Sequence, residues 1–192
     1  MPRTKAFLRT ILQPMAVAIV LAGVARAAVH IYSIPSSSMA PTLEPGDQIV
    51  VTRYIHSAPE RGHVIVFRST AGTDELMVKR VIGLPGDLVD SRLGRVRVGG
   101  HTLPESYVMR AAASGAIEPQ VIPASSYFVL GDNRDDSLDS RTWGVVPHAN
   151  VVGRARMVLW SSSHELDPAS AQPAHPTTEK RPQRARLFKW ID

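Results

Sequence analysis

Three serines, Ser36, Ser37 and Ser38, stand in a row in the stretch SIPSSSMAPTLEPGD, just after Pro35. A hydroxyl is a weak nucleophile and attacks only when a neighbouring base removes its proton. Histidine is the usual base. The seven histidines, His30, His56, His63, His101, His148, His164 and His175, are scattered, and the sequence has no G-x-S-x-G elbow and no H-E-x-x-H motif. Cysteine is absent, which excludes a thiol nucleophile and thiolate metal ligation. The other base available is a lysine whose burial favours the neutral amine. Lys79 is the sole lysine between Lys5 and Lys180, and it lies in the apolar run Leu76-Met77-Val78-Lys79-Arg80-Val81-Ile82. On a strand, Lys79 shares a face with Met77 and Val81, while Arg80 points away with Val78 and Ile82. One cation can then be buried while the other stays wet. The competing reading is an edge-strand lysine that blocks aggregation.

The block GDNRDDSLDSR, Gly131 to Arg141, is dense in carboxylates and raises the question of calcium. Read as an EF-hand loop from Asp132, it puts Arg134 at position 3, Ser137 in place of the obligatory glycine and Trp143 at the bidentate glutamate position, so that reading fails. A solvated turn with internal Asp–Arg pairs accounts for most of these side chains. No metal and no cofactor is expected.

The elements that must position these groups are strands. DQIVVTRY, GHVIVFRS, ELMVKRVIG, DLVDSRL, GRVRVGG, SSYFVLGD and VVGRARMVLW are short, rich in Val and Ile and often alternating, with Pro-Gly-Asp and Gly-Gly turns between them. The pattern predicts a mainly β catalytic domain over residues 31–160, made of antiparallel sheets folded into a partly open barrel. Residues 1–30 form a basic tip and an apolar run, Ile11 to Ala25, flanked by Arg9 and Arg26. A bilayer core needs roughly 20 apolar residues, so this run spans as one membrane helix only if the flanking arginines snorkel. The alternative is a signal peptide cleaved after Ala27. Either way the positive flank stays inside and the chain after His30 lies outside the cytoplasm. Residues 161–192 form a Pro-rich basic segment, and its last residues, ARLFKWID, either pack on the domain or touch a membrane surface. The net charge of +5 is concentrated at the two ends, which speaks for bilayer contact and against a nucleic-acid groove. A monomer is expected.

Four blocks, PSSSMAPTLEPGD, RGHVIVF, VKRVIGLPGD and GDNRDDSLDSRTWGVV, resemble bacterial type I signal peptidase in order and spacing, over most of Ile34 to Arg154. The resemblance implies a serine endopeptidase with a Ser–Lys dyad, anchored in the cytoplasmic membrane with its catalytic domain on the periplasmic side. It would cut signal peptides from secreted preproteins after Ala-x-Ala sites, near the secretion machinery. It makes Ser38 the nucleophile and Lys79 the general base. Ser36 joins the Ser38 backbone N–H in the oxyanion hole, Ser137 orients the lysine, and Asp139 and Arg141 form a supporting ion pair. It places the substrate pocket among Ile34, Pro35, Met39, Ile49, Met77 and Val78. Three positions depart from the family pattern: His63, where Asp is common; Asp136, where Asn is common; and Met77, where an aromatic is frequent. Two other readings share these residues: a Ser–Lys peptidase that matures one pilin or conjugation precursor, and an inactive anchored domain that binds exported peptides.

Overall fold

The computed structural model describes residues 10, 12, 14–19, 23, 29–70, 72–109, 116–161 and 187–191. The chain divides into two units, Met1–His30 and Ile31–Asp192. In the first, residues 14–19 are helical. Among the described residues no helix is long and apolar enough to cross a membrane. Much of the expected anchor, Ile11 to Ala25, and the whole of the possible cleavage site at Ala25–Ala27 lie outside the described residues.

The remainder is mainly β. In chain order the strands are β1 (Val29–Ser33), β2 (Asp47–Thr52), β3 (Val64–Arg68), β4 (Leu76–Gly83), β5 (Leu88–Arg92), β6 (Arg95–Val98), β7 (His101–Thr102), β8 (Gln120–Val121), β9 (Ser126–Leu130), β10 (Val146–Pro147), β11 (Val151–Ser161) and β12 (Leu187–Trp190). The larger sheet runs β1-β2-β11-β3-β4-β9-β10, and β5 to β8 form a second sheet in the order β7-β6-β5-β8. The ladders from β2 through to β10 are antiparallel. The expected partly open barrel is thus a half-barrel whose ends, β1 and β10, stay apart in the strand order.

Local sequence explains the placement. In β2, Asp47, Ile49 and Val51 alternate inward, as a strand with one wetter face must. β3 (VIVFR) is buried at four successive positions, because it lies between β4 and β11 with both faces covered. All five residues of β9 are buried for the same kind of reason. Gly83 ends β4 where the two sheets meet: a Cβ there would come within 2.7 Å of Val89 Cγ2 on β5 and 3.0 Å of Phe128 Cβ on β9.

β11 organises the larger sheet. It pairs with β2 along one edge, and on the other first with β3 and then with β12. The C-terminal residues therefore pack on the domain. Leu187 to Trp190 add a strand, and Ile191 enters the core cluster that holds Ile34 and Val158. Leu187, Phe188 and Trp190 keep most of their surface exposed. Residues 162–186 lie outside the described residues.

Candidate active site

Lys79 sits on β4, an interior strand flanked by β3 and β9, so it is not an edge-strand lysine. It is 4% exposed, and its Nζ donates to Ser38 Oγ at 2.6 Å. Burial pulls the Lys79 ammonium below its ordinary pKa of 10.5, against the carboxylates of Asp139, Asp132 and Asp136, which favour the charged form. The strongest influence is thus desolvation. Ser36 Oγ lies 3.3 Å from Ser38 Oγ. Ser37 turns away and donates to the Asp136 carboxylate at 2.6 Å. Among the described residues, no histidine is hydrogen-bonded to Ser38 Oγ; its partners are Lys79 and Ser36. His63 sits in the turn before β3, where its Nδ1 accepts from the Glu60 N–H at 3.1 Å and lies 3.0 Å from the Tyr54 hydroxyl.

The block after β9 closes over the serine. The Asn133 N–H donates to the Ser38 carbonyl at 3.1 Å, and the Asn133 side-chain amide donates to the Ser37 carbonyl at 3.2 Å. Asp139 is fully buried. Its carboxylate takes the Arg141 guanidinium in a fork, with both contacts at 2.8 Å, and accepts from the Gly131 N–H at 3.0 Å. It also caps the helical turn Ser140–Trp143, the preferred use of Asp at that position. Ser137 Oγ is buried and makes no hydrogen bond, so the contact to Lys79 that the resemblance implies is not formed here. Its neighbour is Gly131, whose missing Cβ would sit 2.2 Å from Ser137 Oγ.

Two expectations are corrected. Arg80 is not the wet cation: it is 1% exposed, and its guanidinium forks onto Asp132, with Nε to Oδ1 at 2.9 Å and Nη2 to Oδ2 at 2.8 Å. The face opposite Lys79 is covered, so both cations are buried, and of the two only Arg80 is hydrogen-bonded to a carboxylate. The block from Gly131 to Arg141 is a solvated turn only in part: Asp135, Asp136 and Leu138 are exposed and the internal Asp139–Arg141 pair is formed, but its other charges are not solvated. Asp132, Arg134 and Asp139 are all buried, and their charges are matched by Arg80, Glu105 and Arg141. Sequence reading missed the Arg80–Asp132 pair because its members stand 52 residues apart; alternation reports which face a side chain takes, not what covers that face. Arg80→Met leaves the Asp132 carboxylate buried without its partner. The expected cost is about 3–5 kcal/mol, read as a lowered midpoint in chemical unfolding, with much of it recovered in the double variant with Asp132→Asn. A single-variant loss below about 1 kcal/mol, the range of surface pairs, overturns this account.

The residues assigned to the substrate pocket separate in space. Ile34, Met39 and Ile49 lie in one core cluster with Val78 packed against it. Met77 packs instead with Phe67 and Tyr127 in a second cluster. Ile34 is 3% exposed and Ile49 0%, so both are core side chains with almost no surface of their own. Pro35 is exposed, and Met77 and Val78 are half-buried.

Fold and site together define a mainly antiparallel β protein in which a buried lysine, on an interior strand, is hydrogen-bonded to a serine in the loop between β1 and β2. The family model described as "Signal peptidase, peptidase S26" matches residues 7–160, and the chain belongs to that family. It is 43% identical over 136 residues to a signal peptidase I of Leptolyngbya laminosa, covering 66% of each chain. It is 33% identical over 183 residues to the signal peptidase I of Pseudomonas aeruginosa, covering 68% of this chain and 64% of that one. A thylakoidal processing peptidase 1 of Arabidopsis thaliana is 33% identical over 147 residues, which cover 70% of this chain and 43% of that one. The matched part thus spans about two thirds or less of the length of these relatives. A solved signal peptidase I from Enterococcus faecalis is 32% identical, with 51% of this chain and 97% of that chain covered, at a TM-score of 0.45.

Proposed function

We propose that this chain is a membrane-bound serine endopeptidase that removes N-terminal signal peptides from exported preproteins after small-x-small sites. The observation that carries this reading is the 2.6 Å contact between Lys79 Nζ and Ser38 Oγ, made by a lysine that burial biases toward the neutral amine. In the neutral form Lys79 accepts the Ser38 proton as Oγ attacks the scissile carbonyl carbon. The oxyanion that develops is met by the Ser38 N–H and the Ser36 hydroxyl. Each well-placed donor contributes roughly 3–4 kcal/mol to such a transition state. The Lys79 ammonium then returns the proton to the departing amine. A water deprotonated by Lys79 hydrolyses the acyl-enzyme and frees Ser38. Ser137 Oγ, buried and without a hydrogen bond, is available to receive the ammonium once it forms, and the Asp139–Arg141 pair holds the turn that carries it.

Specificity comes from volume. A wall of Val78 backed by Ile34 and Ile49 accepts Ala and excludes larger side chains, at about 1–3 kcal/mol per methylene. The apolar segment before the domain anchors the chain, with Arg3, Lys5 and Arg9 cytoplasmic. Purified in detergent, the chain is expected to cut a preprotein after Ala-x-Ala and to leave a Leu-x-Leu version whole. Failure to cut any of a panel of preproteins overturns the proposal.

The pH profile offers a second check. An ascending limb set by Lys79 has its midpoint below 10.5, because burial lowers that pKa. Asp136 is exposed, and its carboxylate favours the ammonium. Removing that charge lowers the Lys79 pKa further, so Asp136→Asn moves the limb of kcat/KM toward lower pH. An unmoved limb, or one moved to higher pH, means that Lys79 is not the titrating base.

A further inference from the structure

Glu105 and Tyr107 follow β7 and belong to none of the four blocks that carry the family resemblance. Both reach the site. Arg134, whose side chain is 2% exposed, donates to both Glu105 oxygens, at 3.1 and 2.5 Å, and from Nε to the Gly131 carbonyl at 2.9 Å. The Tyr107 hydroxyl donates to Glu105 Oε1 at 3.2 Å. The ring of Tyr107 lies against the Arg80 guanidinium, 4.0 Å from centroid to Cζ, and Arg80 in turn forks onto Asp132. Two buried arginines, each held from residues 105–107, therefore bracket Gly131 and Asp132. The residues on either side of Asp132 lie against the nucleophile: a Cβ on Gly131 would come within 2.5 Å of the Ser38 carbonyl oxygen, and the Asn133 N–H donates to that same oxygen.

We propose that Glu105 and Tyr107 are positioning residues for Ser38, a brace that sets the Gly131–Asn133 backbone against the nucleophile loop. The physical need is plain. Residues 131–136 have no regular secondary structure, so no ladder fixes their register; beside the backbone bonds from the Asn133 N–H to Ser38 and from the Asp136 N–H to Asn133, side-chain bonds hold it. Arg134 and Arg80 have the geometry for that task because a guanidinium is a planar fork that binds a carboxylate at two points. Burial, and to a lesser degree the Glu105 carboxylate, push the Tyr107 phenol up, so it stays a neutral donor. Burial of the Tyr107 ring face strengthens its hold on Arg80. The kinetic arm of the test rests on the Ser38–Lys79 peptidase reading; the exchange arm does not.

The test uses the full chain in detergent, with Glu105→Gln, Tyr107→Leu and Tyr107→Phe. Glu105→Gln keeps the shape but removes the charge that holds Arg134. Tyr107→Leu removes the ring over Arg80, and Tyr107→Phe keeps it. The first two are expected to lower kcat on a preprotein by about 10-fold, within what a small misplacement of a reacting group costs, with KM held within about twofold. Amide exchange at Asn133 is expected to quicken in both. Tyr107→Phe restores most of the rate lost in Tyr107→Leu and slows exchange again. A lower thermal midpoint with kcat and Asn133 exchange unchanged means that these residues only hold the fold, and it overturns the proposal, as does a rise in KM alone. If the unaltered chain cuts no preprotein, the peptidase reading fails, and Asn133 exchange decides the brace by itself.

Discussion

Ser38→Ala and Lys79→Met each abolish cleavage, by roughly 10⁴-fold or more in kcat, the scale seen when a nucleophile or its base is removed from a serine peptidase. The fold survives both. Ser38→Ala deletes one oxygen from a side chain whose partners are Lys79 and Ser36. Lys79→Met keeps most of the volume and removes a cation that is 4% exposed and desolvated, so stability holds or rises. Lys79→Arg is equally inactive, since a guanidinium does not give up its proton in this range. Histidine-directed reagents leave the rate unchanged, because no described histidine is bonded to Ser38 Oγ. The measurements are single-turnover cleavage of a preprotein and thermal unfolding of each variant. Substantial cleavage by Lys79→Met would sink the Ser–Lys mechanism and return the role of base to a histidine.

Gly131→Ala is expected to be the next most damaging change, although it adds one methyl group and touches neither reacting atom. The new Cβ would lie 2.2 Å from Ser137 Oγ, 2.5 Å from Ser137 Cβ and 2.5 Å from the Ser38 carbonyl oxygen. A serine hydroxyl can swing aside. The Ser38 carbonyl cannot, because it is the backbone of the nucleophile itself. Relief requires the loop after β9 and the serine loop to part, which breaks the Asn133 N–H bond to Ser38 and shifts Oγ from Lys79. A displacement on the order of 1 Å costs about 10²-fold in rate, while overpacking of this size costs about 1–3 kcal/mol in stability. The signature is a collapse in kcat with a still-cooperative unfolding transition. Wild-type kcat in Gly131→Ala would mean that the close approach of residues 131 and 38 has no part in catalysis.

The legible parts of this protein are those that repeat or stand in a local block. Alternation and turn residues announce strands, and the mainly antiparallel β architecture follows from them, because each short apolar run must bury one or both faces against another. The β12 strand is the exception. ARLFKWID carries no period that distinguishes a sheet partner from a surface anchor, and its pairing depends on the length of β11 that β3 leaves uncovered. The GDNRDDSLDSR block shows the same limit. Its acids and arginines were visible, and so was the local Asp139–Arg141 pair, but the burial of Asp132 and Arg134 was not, since their partners, Arg80 and Glu105, come from elsewhere in the chain.

By itself the sequence determined which residues can do chemistry: a serine set between prolines, one lysine in an apolar run and a family order of blocks. The family order also implied that Ser38 meets Lys79; the tertiary structure decided how closely they meet and what surrounds them. Ser38 and Lys79 stand 41 residues apart and come within 2.6 Å. Arg80 finds Asp132, Arg134 finds Glu105, and Gly131 leaves room for Ser137. Periodicity is a property of neighbours along one element, whereas desolvation, the effect that lowers the lysine pKa most, is a property of everything packed around it. That environment is assembled from β4, the loop before β2 and the turn after β9, and no local pattern contains it.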